Sequence, residues 1–273
     1  MSREPLLSVH DLGVTAGDTE LVRAVGFEVE RGASLGIVGE SGSGKSLTCR
    51  SILGILPPGC SATPETSIRF DGVDLGGLDH DGWLPYRGTR ISAVFQDPAS
   101  YLNPSITVGR QLAEVLRVRT GLSRRAARDR AVELFARMGL TDPAWVHRQY
   151  PFELSGGMLQ RVLIAIAICE DPDLLIADEA TTALDVTVQA EVLDLLAELR
   201  DRTGLALVLV SHDLAVVAQV CDHVVVMRDG VIVERGRTAD VLRAPQHPYT
   251  QLLVASHAEY GIEKFLTGAR ADG

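Results

Sequence analysis

Residues 39–46, with the sequence Gly-Glu-Ser-Gly-Ser-Gly-Lys-Ser, combine three glycines with a lysine and a serine where a predicted strand gives way to a predicted helix. Backbone N–H groups at a helix N-terminus hold dense negative charge such as a triphosphate, and glycines let the backbone wrap phosphates without Cβ clashes. In such a loop Lys45 reaches the terminal phosphates and the Ser46 hydroxyl is a ligand for Mg²⁺. The predicted nucleotide-binding residues are Gly39, Glu40, Ser41, Gly42, Ser43, Gly44, Lys45 and Ser46.

Two carboxylates follow the apolar run Leu174–Ala177, which predicts a buried strand. Asp178 therefore ends a strand at the edge where α/β sheets bind ligands, and its oxygens suit Mg²⁺. Glu179 comes next, points elsewhere and could polarise an attacking water. The alternative is a carboxylate pair that caps the following helix, and the glycine-rich loop upstream favours the metal site over it.

A second glycine-flanked helix start, Ser155-Gly156-Gly157, lies between the loop and the carboxylates. Taken alone it would be a turn with Ser155 as the N-cap. A helix N-terminus of this kind is also a phosphate site, and the chain has one glycine-rich phosphate loop of its own. The simplest use of the second site is a partner's ATP, which predicts a dimer with nucleotide between the subunits.

Two single polar residues also follow predicted strands, Gln96 after Ile91–Phe95 and His212 shortly after Ala206–Val210. In isolation each would be an incidental loop residue. Both lie at the carboxyl ends of strands, the edge also predicted for Asp178, and this shared edge makes them candidates for the same site.

Strand and helix patterns alternate along the chain except in one helical stretch. Residues 1–96 form an N-terminal β part with the phosphate-loop core, and residues 97–160 show only helical periodicity. Alternation resumes over 161–242, which includes a hairpin signal at Asp229-Gly230, and 243–273 form a short C-terminal tail. The predicted strands are Leu21–Glu30, Ala33–Val38, Ile91–Phe95, Leu174–Ala177, Ala206–Val210 and Val224–Met227. The predicted helices are Ser46–Leu56, Val108–Arg119, Ser123–Met138, Val186–Arg202 and Leu214–Val220.

The composition narrows the class of protein. A chain of 273 residues with 46% hydrophobic and 23% charged residues is ordinary for a globular protein. A net charge of −10 argues against a nucleic-acid partner, which would require a basic surface. No apolar stretch approaches the roughly 20 residues of a membrane helix, and no signal sequence is visible. We therefore expect a cytosolic protein, and any membrane-spanning part would belong to its partners.

A run of arginines in the helical stretch is the local exception to this acidic balance. We interpret these arginines as a solvated helix face, and the alternative is that they contact acidic lipid or a partner loop. The run consists of Arg117, Arg119, Arg124, Arg125, Arg128 and Arg130.

Cysteine and histidine positions give no sign of a metal centre. The four cysteines and seven histidines lack the spacing of a metal site, so we expect no transition-metal site in this chain. Thiols without a disulfide framework fit a reducing compartment.

Taken together and in order, these motifs resemble those of the nucleotide-binding subunit of ABC transporters over almost the full chain. Residues 39–46 resemble the Walker A motif and Leu154–Met158 the signature motif. The remaining matches are Leu174–Asp178 to Walker B, Gln96 to the Q-loop glutamine, Ala183-Leu184-Asp185 to the D-loop and His212 to the switch histidine.

The resemblance implies an α/β fold, namely a P-loop NTPase of the ABC ATPase type. Such a domain has a mixed sheet core, an N-terminal antiparallel β part and an inserted helical subdomain. The resemblance also implies ATP and Mg²⁺ as cofactors, with the metal near Ser46, Gln96 and Asp178. ATP binding would close two subunits head to tail, and hydrolysis would reopen them.

Individual roles follow from the same resemblance. The residue at the Glu179 position activates water, the one at His212 contacts the γ-phosphate, and the one at Gln96 links metal and water to the membrane subunit. Ser155, Gly156 and Gly157 serve the partner's ATP, and Asp185 belongs to the adjoining D-loop.

Shorter segments resemble ABC importers of the peptide/nickel group. These are Gly36–Glu40, Phe95–Pro98, Leu102–Pro104 and His247-Pro248-Tyr249-Thr250. Within the group, a nickel-import ATP-binding subunit is the nearest match. Three groups of segments carry this match. They are residues 46–49 and 53–57, residues 150–153 and 157–161, and the short ending around residues 256–261.

The finer resemblance implies a nickel importer, with a peptide or metal-chelate importer as the alternative. Implied partners are a second ABC ATPase subunit in a heterodimer, two transmembrane permease subunits and an extracytoplasmic solute-binding protein. The protein would then lie at the cytoplasmic face of the membrane as a peripheral subunit.

Two positions depart from the family pattern. Most relatives have proline at the position of Ala180, and we expect alanine to loosen the turn. No aromatic residue stands near Ala16 to stack on adenine, so we expect base binding either to be weaker or to rely on apolar contacts such as Val22.

The sequence argues against two other classes of function. A soluble ABC ATPase acting on DNA or ribosomes would carry tandem domains, coiled-coil insertions or a basic face, and the sequence shows none. A catalytically silent regulator would lack Glu179 or His212, and both are present.

Overall fold

The chain folds around two β-sheets, one of six strands and one of five. The structure, a computed structural model, describes residues 4–181 and 184–258, with backbone alone for 257 and 258. The strands are β1 (Leu7–Ala16), β2 (Thr19–Val29), β3 (Ser34–Val38), β4 (Cys60–Ala62), β5 (Ser67–Phe70), β6 (Val73–Asp74), β7 (Ile91–Phe95), β8 (Leu174–Asp178), β9 (Ala206–Ser211), β10 (His223–Arg228) and β11 (Val231–Arg237).

Helices fall between the strands and fill one long insertion. They are α1 (Lys45–Ile52), α2 (His80–Trp83), α3 (Val108–Thr120), α4 (Arg124–Arg137), α5 (Pro143–Val146), α6 (Gly156–Ala167), α7 (Val186–Thr203), α8 (Leu214–Val220), α9 (Thr238–Arg243) and α10 (Pro248–Ala258). Short 3₁₀ turns occur at Pro98–Tyr101 and Pro151–Glu153.

The six-stranded sheet is the central layer, with the strand order β11-β10-β3-β9-β8-β7. Its strands run parallel except β11, which pairs antiparallel with β10 at one edge. Parallel sheets are covered on both faces, so their strands are continuous apolar runs, and every residue of β8 and β9 is buried. The predicted α/β fold with a mixed sheet is confirmed, and the strands predicted at Leu174–Ala177 and Ala206–Val210 each extend one residue further.

The five-stranded sheet is antiparallel and contains β2-β1-β5-β6, with β4 also paired to β1. The strand predicted at Leu21–Glu30 corresponds to β2, but side-chain burial does not alternate regularly along it. A bulge in β2 leaves Ala24 exposed with φ 46°, and burial resumes at Val25. An extra residue in one strand shifts the side-chain alternation by one, which the residue pattern did not reveal.

Two apolar clusters cover opposite faces of the central sheet. Leu175 and Ala177 of β8 pack in the cluster that contains the helices of the insertion. Leu174 and Ile176 pack in the other cluster, which the antiparallel sheet closes. Because side chains alternate along a strand, one run of four apolar residues joins both halves of the core.

The insertion between β7 and β8 is helical, as predicted, and the structure describes all of residues 97–160 without a strand. Helix α1 ends at Ile52 rather than at Leu56, because Gly54 adopts φ 62° and turns the chain before Pro57 is reached. The predicted segment boundaries at residues 96, 160 and 242 remain a prediction.

Helix α8 packs against β3 at a position that requires glycine. A Cβ built on Gly36 would lie 2.1 Å from Cγ1 of Val217. We expect Gly36→Ala to lower the free energy of unfolding by about 1–3 kcal/mol in urea denaturation, because overpacking forces backbone or rotamer shifts.

The double variant Gly36→Ala/Val217→Ala should be less destabilised than the sum of its single changes, since the shortened side chain vacates the clashing position. Gly77→Ala is the matched control, because a Cβ there would meet no atom within 4 Å. Equal effects of Gly36→Ala and Gly77→Ala would contradict the packing argument.

Candidate nucleotide-binding site

Four neighbouring parallel strands end in one row at the carboxyl edge of the central sheet. Val38 pairs with Ser211, Asp178 pairs with Val210, and Phe95 pairs with Asp178. The chain therefore leaves β3, β7, β8 and β9 at the same edge. The residues that directly follow these strand ends are Gly39, Gln96, Glu179 and His212.

The loop after β3 has a shape that glycine makes possible. Gly39 has φ 155°, and a Cβ there would lie 2.2 Å from the carbonyl oxygen of Met227. Gly42 is exposed and has φ 83°, a conformation that other residues rarely adopt. Helix α1 then begins at Lys45, and its first N–H groups have no partner within the helix. Ser43 adds a buried Oγ that makes no hydrogen bond in the described structure, so the loop presents donors suited to an anion.

Lys45 is held inside this loop. Its side chain is 3% exposed, and Nζ donates hydrogen bonds to the carbonyl oxygens of Gly39 at 2.7 Å and Glu40 at 2.9 Å. Burial lowers the pKa of Lys45, and the nearby carboxylates of Glu179 and Asp178 oppose that shift. The amine therefore lies at the loop with carboxylates close by, where it can meet phosphate oxygens.

Ser46 and Asp178, which lie far apart in the chain, meet across the sheet edge. Ser46 Oγ donates a hydrogen bond of 3.0 Å to Asp178 Oδ1. Asp178 is 5% exposed, and burial raises its pKa, although the bond from Ser46 works in the opposite direction. A buried carboxylate beside a hydroxyl is an oxygen donor pair of the kind that Mg²⁺ prefers, so the residues present fit that ion.

Glu179 leaves the strand in a left-handed backbone conformation. Its φ is 50°, and its N–H donates a 3.1 Å hydrogen bond to the carbonyl of Val210. Non-glycine residues in this region cost about 1–3 kcal/mol and cluster at functional sites. Ala180, which follows, is buried in the helix-side core, and the looser turn expected there remains a prediction.

Within the described structure, Gln96 and His212 lie at the same edge of the sheet but form no hydrogen bond with Ser46 or Asp178. Both are exposed. Asp97 breaks the strand after Gln96 with φ 62°, and Asp213 caps α8 after His212 by accepting a 2.7 Å bond from the Ala215 N–H.

The second helix start lies beside the beginning of α7. Ser155 is the N-cap of α6, and its Oγ accepts a 3.3 Å hydrogen bond from the Met158 N–H. Ser155 and Gly156 are exposed, whereas a Cβ on Gly157 would lie 2.3 Å from Cγ1 of Val188. Gly157 is thus also a packing glycine, a role that the motif alone did not reveal.

Asp185 supplies the neighbouring cap. It is the N-cap of α7 and accepts a 3.0 Å hydrogen bond from the Val188 N–H. Leu184 lies against Gly156, since a Cβ on that glycine would be 3.4 Å from Leu184 Cδ2. The starts of α6 and α7 therefore form one surface. Ala183, quoted with Asp185 in the D-loop, lies outside the described residues.

One expectation about side chains is corrected: Val22 is 1% exposed, so it offers no surface to a nucleotide base.

The solvated face expected for the arginine run agrees with the structure, because all of its six arginines except Arg130 are exposed. Arg117, Arg124 and Arg128 line a cavity of about 610 Å³ together with Arg110 and Arg148.

The site also contains a residue whose role the sequence analysis missed. The phenol oxygen of Tyr249 accepts a 2.9 Å hydrogen bond from the Glu40 N–H of the phosphate loop. In the sequence, the signal for this residue is the segment 247–250, which resembles the peptide/nickel importer group.

Neither a membrane span nor a metal cluster stands out in the described part of the chain. No described helix is long and apolar enough to cross a membrane. Across 4–181 and 184–258, no group of three or more His, Cys, Asp or Glu side chains could hold a metal ion.

The family model described as "ABC transporter" matches residues 22–182. The dipeptide transport ATP-binding protein DppD of Bacillus subtilis is 45% identical over 257 residues, which cover 93% of this chain and 77% of that protein. The oligopeptide transport ATP-binding protein OppD of the same organism is 44% identical over 255 residues, covering 92% and 71%.

A solved structure shares the fold. The dimeric post-hydrolysis state of the ATP-binding cassette MJ0796, bound to ADP and Pi, superposes with a TM-score of 0.74 at 26% identity, covering 85% of this chain and 98% of that one. The family match spans both Lys45 and Asp178, and with these relatives it shows that the chain belongs to the ATP-binding proteins of the ABC transporter family.

Proposed function

We propose that this protein is the ATP-hydrolysing subunit of a membrane importer and that the imported solute is a peptide. The observation that carries the enzymatic part is the hydrogen bond between Ser46 and Asp178, with the Lys45 amine held in the adjoining loop. A phosphate loop, a buried carboxylate and an ammonium group at one sheet edge suit a nucleoside triphosphate with a divalent cation.

The proposed roles follow from position. Mg²⁺ would be held by Ser46 and Asp178 with Gln96 near it, and would neutralise charge on the phosphates. Lys45 exchanges its bonds to loop carbonyls for bonds to phosphate oxygens. Glu179 orients and deprotonates the attacking water, and His212 contacts the terminal phosphate.

The exposed start of α6 supports a dimer. Ser155 and Gly156 are exposed where α6 begins, with Asp185 beside them, and the first backbone N–H groups of a helix have no partner within it. We propose that these groups bind the phosphates held by a second ABC ATPase subunit, in a heterodimer. The related cassette MJ0796 has been described as a dimer, which is consistent with that arrangement.

Peptide rather than nickel is the proposed solute. The relatives reported above carry dipeptide and oligopeptide transport in their names, and neither names nickel. The nickel assignment rested in part on the chain ending, and residues 259–273 lie outside the described part of the structure. Nickel and metal chelates therefore become outcomes of the uptake test below.

The remaining proposed partners are two transmembrane permease subunits and an extracytoplasmic solute-binding protein. The protein would lie at the cytoplasmic face of the membrane as a peripheral subunit. At the arginine-lined cavity, which Glu114 also lines, contact with acidic lipid or a partner loop is the alternative to a solvated face. The net charge of −10 continues to argue against nucleic acid.

Glu179→Gln should bind ATP with near-normal affinity and hydrolyse it about 100-fold more slowly or worse, because the amide keeps the size of the side chain but cannot take a proton. Binding is measured by titration calorimetry and turnover by phosphate release, and the ATP-bound variant should remain dimeric in light scattering. Glu198→Gln, on the exposed side of α7, is the matched control. Full ATPase activity in Glu179→Gln would contradict the proposed role of Glu179 in activating water.

Gly156→Asp should stop turnover in the complex with the partner ATPase while leaving ATP binding by this chain intact. A Cβ at this position makes only ordinary contact, and an aspartate in the first helical turn is tolerated, but its charge would repel the partner's phosphates. Gly156→Ala, which adds the Cβ without charge, should keep most of the activity. Equal loss in both variants, or normal turnover in Gly156→Asp, would contradict the shared site.

Deletion of the gene should abolish uptake of labelled di- and oligopeptides and leave nickel accumulation unchanged. The wild-type gene should restore uptake, and the Lys45→Ala variant should not, since it loses the phosphate-binding amine. Lost nickel accumulation with retained peptide uptake would overturn the peptide proposal in favour of nickel.

A further inference from the structure

The first turn of α10 is attached to the phosphate loop. Tyr249 is 3% exposed, although it lies far along the chain from that loop. Its phenol oxygen accepts the 2.9 Å hydrogen bond from the Glu40 N–H. Burial raises the pKa of Tyr249, so the group remains a neutral phenol at physiological pH.

Both polar groups of the peptide unit between Gly39 and Glu40 are hydrogen-bonded. The carbonyl of Gly39 and the N–H of Glu40 belong to the same planar group. Lys45 Nζ donates to that carbonyl at 2.7 Å, and the N–H donates to Tyr249. A rotation of this peptide would break both bonds, so its orientation and the position of the Lys45 amine are determined together.

Several contacts hold Tyr249 in place. The guanidinium of Arg228 lies 4.9 Å from the centre of its ring. The Glu234 carboxylate accepts hydrogen bonds from the N–H groups of Gln246 at 2.8 Å and His247 at 2.9 Å, which fixes the chain entering α10. Tyr249 is therefore anchored on β10 and β11 independently of the phosphate loop.

The bond to Tyr249 gains importance when nucleotide binds. In the proposed function, Lys45 leaves the loop carbonyls for phosphate oxygens. The peptide between Gly39 and Glu40 then loses the bond on its carbonyl side and keeps the one to Tyr249. A phenylalanine would fill the same space and retain the ring contact with Arg228, but it could not hold the peptide.

We propose that Tyr249 is a positioning residue of the nucleotide site, whose hydroxyl holds the Gly39–Glu40 peptide in the orientation that binds triphosphate. This inference rests on the proposed ATP-binding function. It also makes α10 part of the site's support, so that a change in this helix alters nucleotide affinity. The hydroxyl lies outside the reacting groups, and the effect is expected in binding rather than in the chemical step.

The test is Tyr249→Phe in the full chain and in the assembled complex. We expect the Kd and KM for ATP to rise about three- to tenfold, the range for loss of one hydrogen bond, while kcat stays within about twofold of wild type. Hydrogen exchange of the Glu40 amide should accelerate, because its acceptor is gone. A general loss of stability would not produce this combination.

Tyr86→Phe is the matched control. Tyr86 packs edge-on against Phe70 and Trp83, and the described structure shows no hydrogen bond from its hydroxyl. The control should leave Kd, KM and Glu40 exchange unchanged. Unaltered ATP affinity or unaltered Glu40 exchange in Tyr249→Phe would overturn the inference. Failure of the wild-type chain to bind ATP would instead refute the proposed function, and the wild-type titration alone reveals that outcome.

Discussion

The parallel pairing of β3, β9, β8 and β7 is the constraint on which the candidate site depends. Their ends lie in register, so the chain leaves all four strands at one edge. Only this arrangement brings Ser46 Oγ within 3.0 Å of Asp178 Oδ1, although the two residues are 132 positions apart in sequence. A slip of one residue in β8 would turn Asp178 to the other face of the sheet and move its apolar neighbours into the wrong cluster. The packing of the core and the geometry of the site therefore require the same register of β8 in the sheet.

The burial of charged side chains is the second constraint on the site. Burial lowers the pKa of Lys45 and raises that of Asp178, so each group is shifted toward its neutral form. Buried charges are expensive unless they are paired, and here the mutual attraction offsets only part of the cost. A triphosphate with a divalent cation carries both signs of charge and would satisfy the two groups together. The left-handed backbone of Glu179 belongs to the same picture, because strain of this kind persists where the surroundings over-determine the conformation.

The helical insertion places the start of α6 at the surface, where Ser155 and Gly156 are exposed. Gly157 packs so closely on Val188 that the starts of α6 and α7 form one unit. In the proposed dimer, the exposed N–H groups of α6 would be presented to a second subunit's nucleotide from a rigid base. At the phosphate loop, the hydrogen bond from the Glu40 N–H to Tyr249 ties α10 to residues far away in sequence. The start of α6 and the phosphate loop are thus each supported by an element distant in the chain.

The residue pattern by itself determined the strand–loop–helix unit around Lys45, the buried strand before Asp178 and the helical insertion, because these depend on local periodicity and on glycine chemistry. It did not reveal the bulge at Ala24 or the early end of α1, since each depends on the left-handed backbone conformation of one residue, which local periodicity does not indicate. The buried state of Val22 and the bond between Tyr249 and Glu40 were decided only by tertiary structure. Each joins parts of the chain that no local pattern relates, and their proximity follows from how the sheets and helices pack.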